Sequence, residues 1–431
     1  MKVRTGSRRP IALAALVLAL ALAATLTGGC WDHAELEDLG FVLALGLDKG
    51  EQAPLRVTVQ IAVPAQIAPG RSGSGPGVIT ETVEGFSLDQ VITYISSFRH
   101  KQITLGHNKL VVFGKELAEQ GILAWLGETV RDREMRRSND MLISTGTAAE
   151  ILQALNTERN PAAAIEELLL LTRYTGLAPR VTLHEWLTDY EGRIRAPVAP
   201  VIGPPRSPEK SGLDQGGNDS GGGGGSSGGG GAGHETGAGA QAPPKLQVMG
   251  TAVFRGDRLV DIMSGLESQV YLMMTGRLSR TVLSMPLKEP QAEVTIRVKG
   301  EKPKSSLTYV GSTAEIKQTL VFEGDITQFV YRGRYLTNQK ELDNVAKQVG
   351  DHVKGIAQEL VTRMQGLGVD PFQYGGLVRR RLSSYEEWRQ FDWVPVYQKA
   401  EVSIEVKSFV RRTGATLWPL REVRPDSQGG G

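Results

Sequence analysis

The sequence predicts an α+β protein of more than one domain, with mixed or antiparallel sheets packed against helices. Three observations carry this. Segments of period two alternate with segments of period near 3.6 along the whole chain. A glycine-rich stretch breaks the composition between Pro204 and Pro244, and 431 residues are too many for one ordinary domain.

The first element is a leader. Lys2, Arg4, Arg8 and Arg9 precede an apolar run from Ile11 to Leu26, and the small residues Thr27, Gly28 and Gly29 follow. That is the basic, apolar, small-residue order of a secretory signal peptide over residues 1–29. The apolar run, about 16 residues, is shorter than the roughly 20 that span a bilayer as a helix. Cys30, the sole cysteine, comes next. A lone thiol has no intrachain disulfide partner, and a metal site needs several ligands, so its position is the clue. A leader ending in Gly28-Gly29-Cys30 resembles the lipobox of bacterial lipoproteins, in which the cysteine sulfur is diacylated and the cleaved chain starts there. It departs in having Thr27 where leucine is usual, with Leu26 one step further out. The resemblance implies lipid attachment at Cys30, with Gly28 and Gly29 as the cleavage flank. Two acyl chains anchor a protein stably where one does not. Ser7-Arg8-Arg9 touches the twin-arginine export pattern, but Pro10 follows at once.

Four of the 49 basic residues leave with the leader, so 45 face 47 acidic ones and the formal charge becomes −2. That balance offers nothing to nucleic acid. No second apolar run has membrane length, so the expected body is water-soluble and tethered by its first residue.

The first region, 30–203, opens with a strand from Leu39 to Asp48. Leu39, Phe41, Leu43, Leu45 and Leu47 form one face, and Gly40, Val42, Ala44 and Gly46 a small-residue face that a helix can approach closely. Leu55–Val63 and Val78–Glu84 continue as strands. Ser87 with Gln90 forms a capping box, Phe86 with Val91 its hydrophobic staple, and Leu88, Val91, Ile92, Ile95 and Phe98 recur at helical spacing. Strand 109–113, a helix over 115–137 broken near Gly121, strand 141–144 and helices over 148–155, 160–173 and 183–190 complete an α+β region with a helical end at about 147–203.

Residues 204–245 read as a flexible linker. From Gly216 to Ala240 fourteen of 25 residues are glycine and none is a large aliphatic or aromatic, too little to offset ordering entropy. The second region, 246–420, starts with a hairpin turning at Arg255-Gly256-Asp257. Strands over 281–285, 294–298, 306–309 and 316–322 follow. A long helix over 338–364 is capped by Asn338 and Glu341, with Leu342, Val345, Ala346, Val349, Val353, Ile356, Ala357, Leu360 and Met364 on one stripe. The alternating strand from Val402 to Val410 supplies a surface for it, so a long helix over an antiparallel sheet is expected. Residues 421–431 read as a disordered tail.

The segment GCWDHAELEDLGFVLALGLDKG from Gly29 resembles the start of the Ger(x)C spore-germination lipoproteins: cysteine-tryptophan, an acidic patch, and an apolar strand ending in Gly-hydrophobic-Asp. The resemblance recurs in order at HNKLVVFGKELAEQGI from His107, RDREMRRSND from Arg131, GTAVFRGDRLVDIMSGLES from Gly250, DPFQYG from Asp370, and a last strand ending in Val410-Arg411-Arg412-Thr413-Gly414. It implies the C subunit of a nutrient germinant receptor, lying on the outer face of the spore's inner membrane beside membrane-spanning A and transporter-like B subunits. It also implies a multi-domain α+β architecture without enzymatic activity. The glycine-rich stretch departs from the family as an insertion between two blocks.

Little else in the chain carries chemistry. The histidines at 33, 100, 107, 184, 234 and 352 lack metal-ligand spacing, no phosphate-binding Gly-Lys-Ser/Thr loop occurs, and no cofactor is expected. Gly223-x-Gly225-x-x-Gly228 lies in low-complexity glycine with neither strand before nor helix after it. Arg131, Glu134, Arg136 and Arg137 read either as a solvated helix face, with Asp132 to Arg136 pairs, or as a contact to a partner subunit. Trp31 reads as a headgroup-level contact or as packing on the first domain. Arg379-Arg380-Arg381 with Trp388, Phe391 and Trp393 reads as a headgroup contact or as core aromatics beside a wet helix. The function expected is lipid-anchored assembly and response of the receptor. The alternative, a substrate-binding lipoprotein serving a transporter, needs two α/β lobes around a cleft, and an extracytoplasmic hydrolase needs a nucleophile with its base.

Overall fold

The computed structural model describes residues 13–20, 35–63, 77–131, 134–156, 158, 160–205, 245–288, 292–310, 313–330 and 339–412. Gly28, Gly29, Cys30, Trp31, the stretch 206–244, Asn338 and the tail from 421 lie outside them. Residues 13–20 are helical. No helix among the described residues is long and apolar enough to cross a membrane.

The first sheet contains β1 (Leu39–Lys49), β2 (Leu55–Ala62), β3 (Val78–Gly85), β4 (Gln102–Thr104), β5 (Leu110–Phe113), β6 (Asp140–Ser144), β7 (Val198–Gly203), β8 (Gln247–Arg255) and β9 (Arg258–Met263). Their order is β3-β2-β1-β5-β6-β7-β8-β9, with β4 beside the start of β1. The central strands β1, β5, β6 and β7 run parallel, and the flanks are antiparallel. A parallel centre is covered on both faces, which is why β5 and β6 are buried at every position. Helices α1 (Leu88–Arg99), α2 (Lys115–Gln120), α3 (Leu123–Arg131) and α6 (Leu183–Gly192) share one core with Leu45, Val111 and Phe113. On the other face α4 (Ala148–Ala154) and α5 (Pro161–Thr175) cover Ala44, Val112 and Leu142.

Three local expectations are corrected here. In β1 the register slips between Val42 and Ala44, so Val42 joins Leu45 and Leu47 while Leu43 packs with the core around Ala44. A bulge inserts one residue and exchanges the faces upstream of it. The small-residue face still works at Gly46, where a Cβ would lie 3.1 Å from Ala148 Cβ on α4. Ser87 does cap α1, accepting from Gln90 N at 3.1 Å, but Phe86 is 72% exposed and makes no staple with the buried Val91. The expected break at Gly121 separates α2 from α3, but the helix does not run on to Arg137: Glu134–Asn139 are not helical and lead to β6.

The boundary expected at 204–245 falls inside the first sheet. Gly203 is registered opposite Gln247, so the glycine-rich stretch joins neighbouring antiparallel strands, and the sheet continues to Met263. Low complexity marks a permissive connection but does not say which strands pair.

From β9 the chain enters α7 (Gly265–Met274) and then the second sheet: β10 (Thr281–Leu287), β11 (Ala292–Gly300), β12 (Lys304–Val310), β13 (Thr313–Val330) and β14 (Glu401–Arg412). The first half of β13 pairs with β12 and the second with β11, both antiparallel, while β14 lies on the opposite side and runs parallel to β13. The sheet is therefore mixed rather than antiparallel. A parallel neighbour needs a crossover connection, and α8 (Gln339–Leu367) provides it, followed by α9 (Gly375–Arg379), α10 (Tyr385–Gln390) and α11 (Trp393–Gln398). The stripe read from the sequence is the one α8 buries, with Leu342 and Ile356 half-buried at its margin.

Gly350 permits the close approach of α8 to β14. A Cβ there would sit 2.6 Å from Ser408 Oγ, whose hydroxyl donates to Ala346 O at 2.6 Å. Gly350→Ala should lower stability by about 1–3 kcal/mol despite its better helix propensity. Adding Ser408→Ala should restore most of the loss. Thermal denaturation of the two single variants and the double variant tests this, and simple additivity would refute the contact.

Candidate functional site

Residues in the motifs singled out in the sequence hold the fold together. Asp48, at the end of β1, is buried, and its Oδ1 and Oδ2 accept from Ala148 N at 2.7 Å and Ala149 N at 2.9 Å. A carboxylate thus sits on the N-terminus of α4, where partial positive charge collects. Gly114 leaves room for it, since a Cβ there would lie 1.9 Å from Asp48 Oδ1. Burial raises the Asp48 pKa, against the lowering by those two N–H groups. In the His107 motif, Asn108 is buried with Nδ2 3.3 Å from Met135 Sδ. In the Gly250 motif, Asp257 Oδ2 accepts from Leu123 N at 3.1 Å and ties the β8–β9 turn to α3.

The charged stretch at 131–137 divides. Glu134 is exposed, yet its Oε2 accepts from Thr104 Oγ1 at 2.6 Å and Leu105 N at 2.8 Å. Arg131, Arg136 and Arg137 are exposed, and the backbone carbonyls of the last two accept from Asn139 N and His184 N. Asp132 lies outside the described residues, and Arg136 is not helical. A carbonyl position near the end of a chain reversal leaves the two guanidinium groups facing solvent, with no side-chain bond among the described residues.

The other concentration of polar groups lies at the seam between the sheets. Asp370 is buried in the DPFQYG turn, where its carboxylate accepts from Phe372 N at 3.1 Å, Gly375 N at 2.8 Å and Trp393 Nε1 at 2.9 Å. Its own backbone carbonyl accepts from Ala196 N at 2.7 Å, across the seam. Tyr374 Oη donates to Gln318 Oε1 at 2.8 Å, and Gln318 Nε2 donates to Met274 O at 2.9 Å. Burial holds the Tyr374 phenol well above its ordinary pKa, so it stays a donor. Trp388 Nε1 donates to Gly192 O at 2.8 Å, and Arg363 on α8 pairs with Asp261 at 3.1 Å and Glu267 at 2.7 Å. Trp388 and Trp393 are buried, so of the two readings of the aromatic cluster the core one holds.

A cleft of about 780 Å³ opens along this seam, walled by Tyr190, Trp388, Phe391 and Trp393. No serine, threonine, cysteine, histidine or lysine lines it. Two of its charged groups, Arg195 and Asp189, neutralise each other at 2.7 Å. Among the described residues no group of three or more His, Cys, Asp or Glu is placed to hold a metal. The arrangement is suited to holding two bodies together.

The Asp370 carboxyl is pushed up from its ordinary 3.8 to about 6, chiefly by burial and against the lowering by its N–H donors. The folded chain therefore keeps this proton between about pH 4 and 6 while the unfolded chain releases it. Stability falls over that window as pH rises and levels off above it, by about 3 kcal/mol for the full shift. Between pH 4.5 and 7 the stability difference between the native chain and Asp370→Asn should shift by about 2 kcal/mol in the same direction. Urea unfolding at pH 4.5 and 7 measures it, and a pH-independent difference would refute the assignment.

Comparison with known proteins places this architecture. The family model for the spore germination protein N-terminal domain matches residues 32–204, and that for the spore germination B3/GerAC-like C-terminal domain matches residues 249–414. Spore germination protein KC of Bacillus subtilis (strain 168) is 22% identical over 424 residues, covering 95% of this chain and 98% of that protein. Spore germination protein A3 of the same organism is 30% identical over 151 residues, 35% of this chain and 40% of that one. The crystal structure of the GerBC protein shares the fold, with a TM-score of 0.51 at 13% identity over 85% of this chain and 96% of that chain. The two family models meet on either side of the β7–β8 connection and together cover most of the chain, so this protein belongs to the Ger(x)C family of spore germination proteins.

Proposed function

We propose that this chain is the C subunit of a nutrient germinant receptor, held on the outer face of the spore's inner membrane by lipid on Cys30. It serves the assembly and response of the receptor without catalysing a reaction. The observation that carries this is the placement of the sole cysteine directly after Gly28-Gly29 in a chain whose two halves match germination-protein domains. Relatives named spore germination proteins A3, B3 and KC support a receptor context with A and B membrane subunits as partners.

The physical role is tethering. Acylation confines the folded body to a thin layer at one leaflet, which raises its effective concentration for contacts too weak to form from solution. The exposed guanidinium groups of Arg131, Arg136 and Arg137 are the candidates for a partner contact. Glu134, engaged with Thr104 and Leu105, positions the segment instead. Trp31, next to the lipidated residue, is suited to the headgroup level.

Cys30→Ala should abolish recovery of the chain in the membrane fraction and impair nutrient germination, while circular dichroism of the folded body stays unchanged. Normal germination with an unlipidated, soluble chain would overturn the tethering mechanism. Arg136→Glu with Arg137→Glu should reduce co-purified A and B subunits by about tenfold, equivalent to about 1.4 kcal/mol, with no change in melting temperature. Undiminished co-purification would move the contact elsewhere.

A further inference from the structure

Five peptide units separate Cys30 from Glu35, where the described body begins, and fully extended they reach at most about 18 Å. Taking the lipid anchor proposed above as given, that short reach fixes which end of the first sheet faces the bilayer. Leu39 pairs with Gln102, and Lys101 Nζ donates to Glu37 O at 2.9 Å, so the C-terminal end of α1 lies beside the point where the tether joins.

At that end the outward row of α1 is aromatic. Tyr94 and Phe98, one helical turn apart on the same face, are 50% and 48% exposed. Ile79 on the edge strand β3 is also exposed and lies at the same level, opposite Ile61, which packs beside Gly40. The nearby charges are mixed. Arg99 is paired with Glu81, and exposed Lys101, with Arg136 and Arg137 on the segment that Glu134 fastens to Thr104, stands against the exposed acids Glu35, Glu37 and Asp38. The feature that singles out this end is therefore the pair of aromatic rings, which prefer the headgroup layer.

We infer that the end of the first sheet bearing Tyr94 and Phe98 is a bilayer-contact face, which seats these two rings among the lipid headgroups. The face turns toward the leaflet because the tether is shorter than the body. The β1–β2 turn at Glu51 and Gln52 then points away, about 33 Å from Leu39 along β1. Phe86, about 18 Å from Phe98 along α1, lies at that far end too, because it follows Gly85, which pairs with Leu55, and Glu84, which accepts from Glu51 N and Gln52 N.

The test uses the full lipidated chain in phosphatidylcholine vesicles that contain a small fraction of phosphatidylcholine with a diazirine near the headgroup. After illumination, lipid adducts on the peptide containing Tyr94–Lys101 should exceed those on the peptide containing Glu51 and Gln52 by about tenfold, with a similarly low yield at Phe86. The Tyr94→Ser, Phe98→Ser variant should still float with the vesicles and lose most of that excess. A chain that floats but shows equal yields at both ends overturns the contact face and leaves the anchor standing. A chain that fails to float overturns the anchor and the contact face together. Protection of Tyr94 and Phe98 that arises only when A and B subunits are reconstituted, without lipid adducts, overturns it in favour of a protein contact.

Discussion

The pairing of β7 with β8 is the constraint on which the rest of the structure depends. About 40 residues lie between Gly203 and Gln247, yet the two are registered partners. Loop-closure entropy grows only with the logarithm of length, so relative to a tight turn this connection costs about 2 kcal/mol more. Val198, Val201, Ile202, Val248, Val253 and Phe254 are all buried by the pairing and its covering helices. Each contributes on the order of 1.5–3 kcal/mol, so burial outweighs closure by a wide margin. The strands that flank the insert are held in one sheet regardless of what joins them.

From that pairing follows the position of α7, which leaves β9 and leads into the second sheet. Its residues are buried nearly all round, as expected of a helix between two bodies rather than on a surface. The carbonyl of Met274 at its end receives Gln318, Gln318 receives Tyr374, and the turn that holds Tyr374 also places Asp370 against Ala196. Cutting this chain of contacts at any point would expose an unpaired polar group in a dry seam, at about 1–3 kcal/mol. The seam therefore fixes the second sheet relative to the first, and a body fixed in this way presents one defined face when it is held at a single end.

The sequence made much of the local structure legible. The alternation in β2 and β14, the α8 stripe and the Arg255-Gly256-Asp257 turn all depend on contacts within a few residues, and all occur as expected. The misses depend on distant ones. The bulge in β1 follows from its partner β2, and Phe86 points outward because nothing in the fold closes over it. The helix expected through Arg137 stops at Arg131 because Glu134 is drawn to Thr104 and Leu105, and β7 was unread because its partner lies across the insert. The α7 helix had a usable signal that went unread: Ser264 and Glu267 form a reciprocal capping box, and Gly276 beyond its end has a positive φ.

By itself the sequence determined the fold class, most strand and helix positions, and the family. Each of these is written in periodicity, composition or short-range order, which a one-dimensional chain can carry. Only the tertiary structure decided that β8 and β9 belong to the first sheet and that β14 joins β13 in parallel. It alone made Asp370 a buried link between the two sheets, and left three arginines exposed while engaging Glu134 with Thr104 and Leu105. Those outcomes depend on which distant surfaces exclude water together, a property of the packed chain that local pattern does not encode.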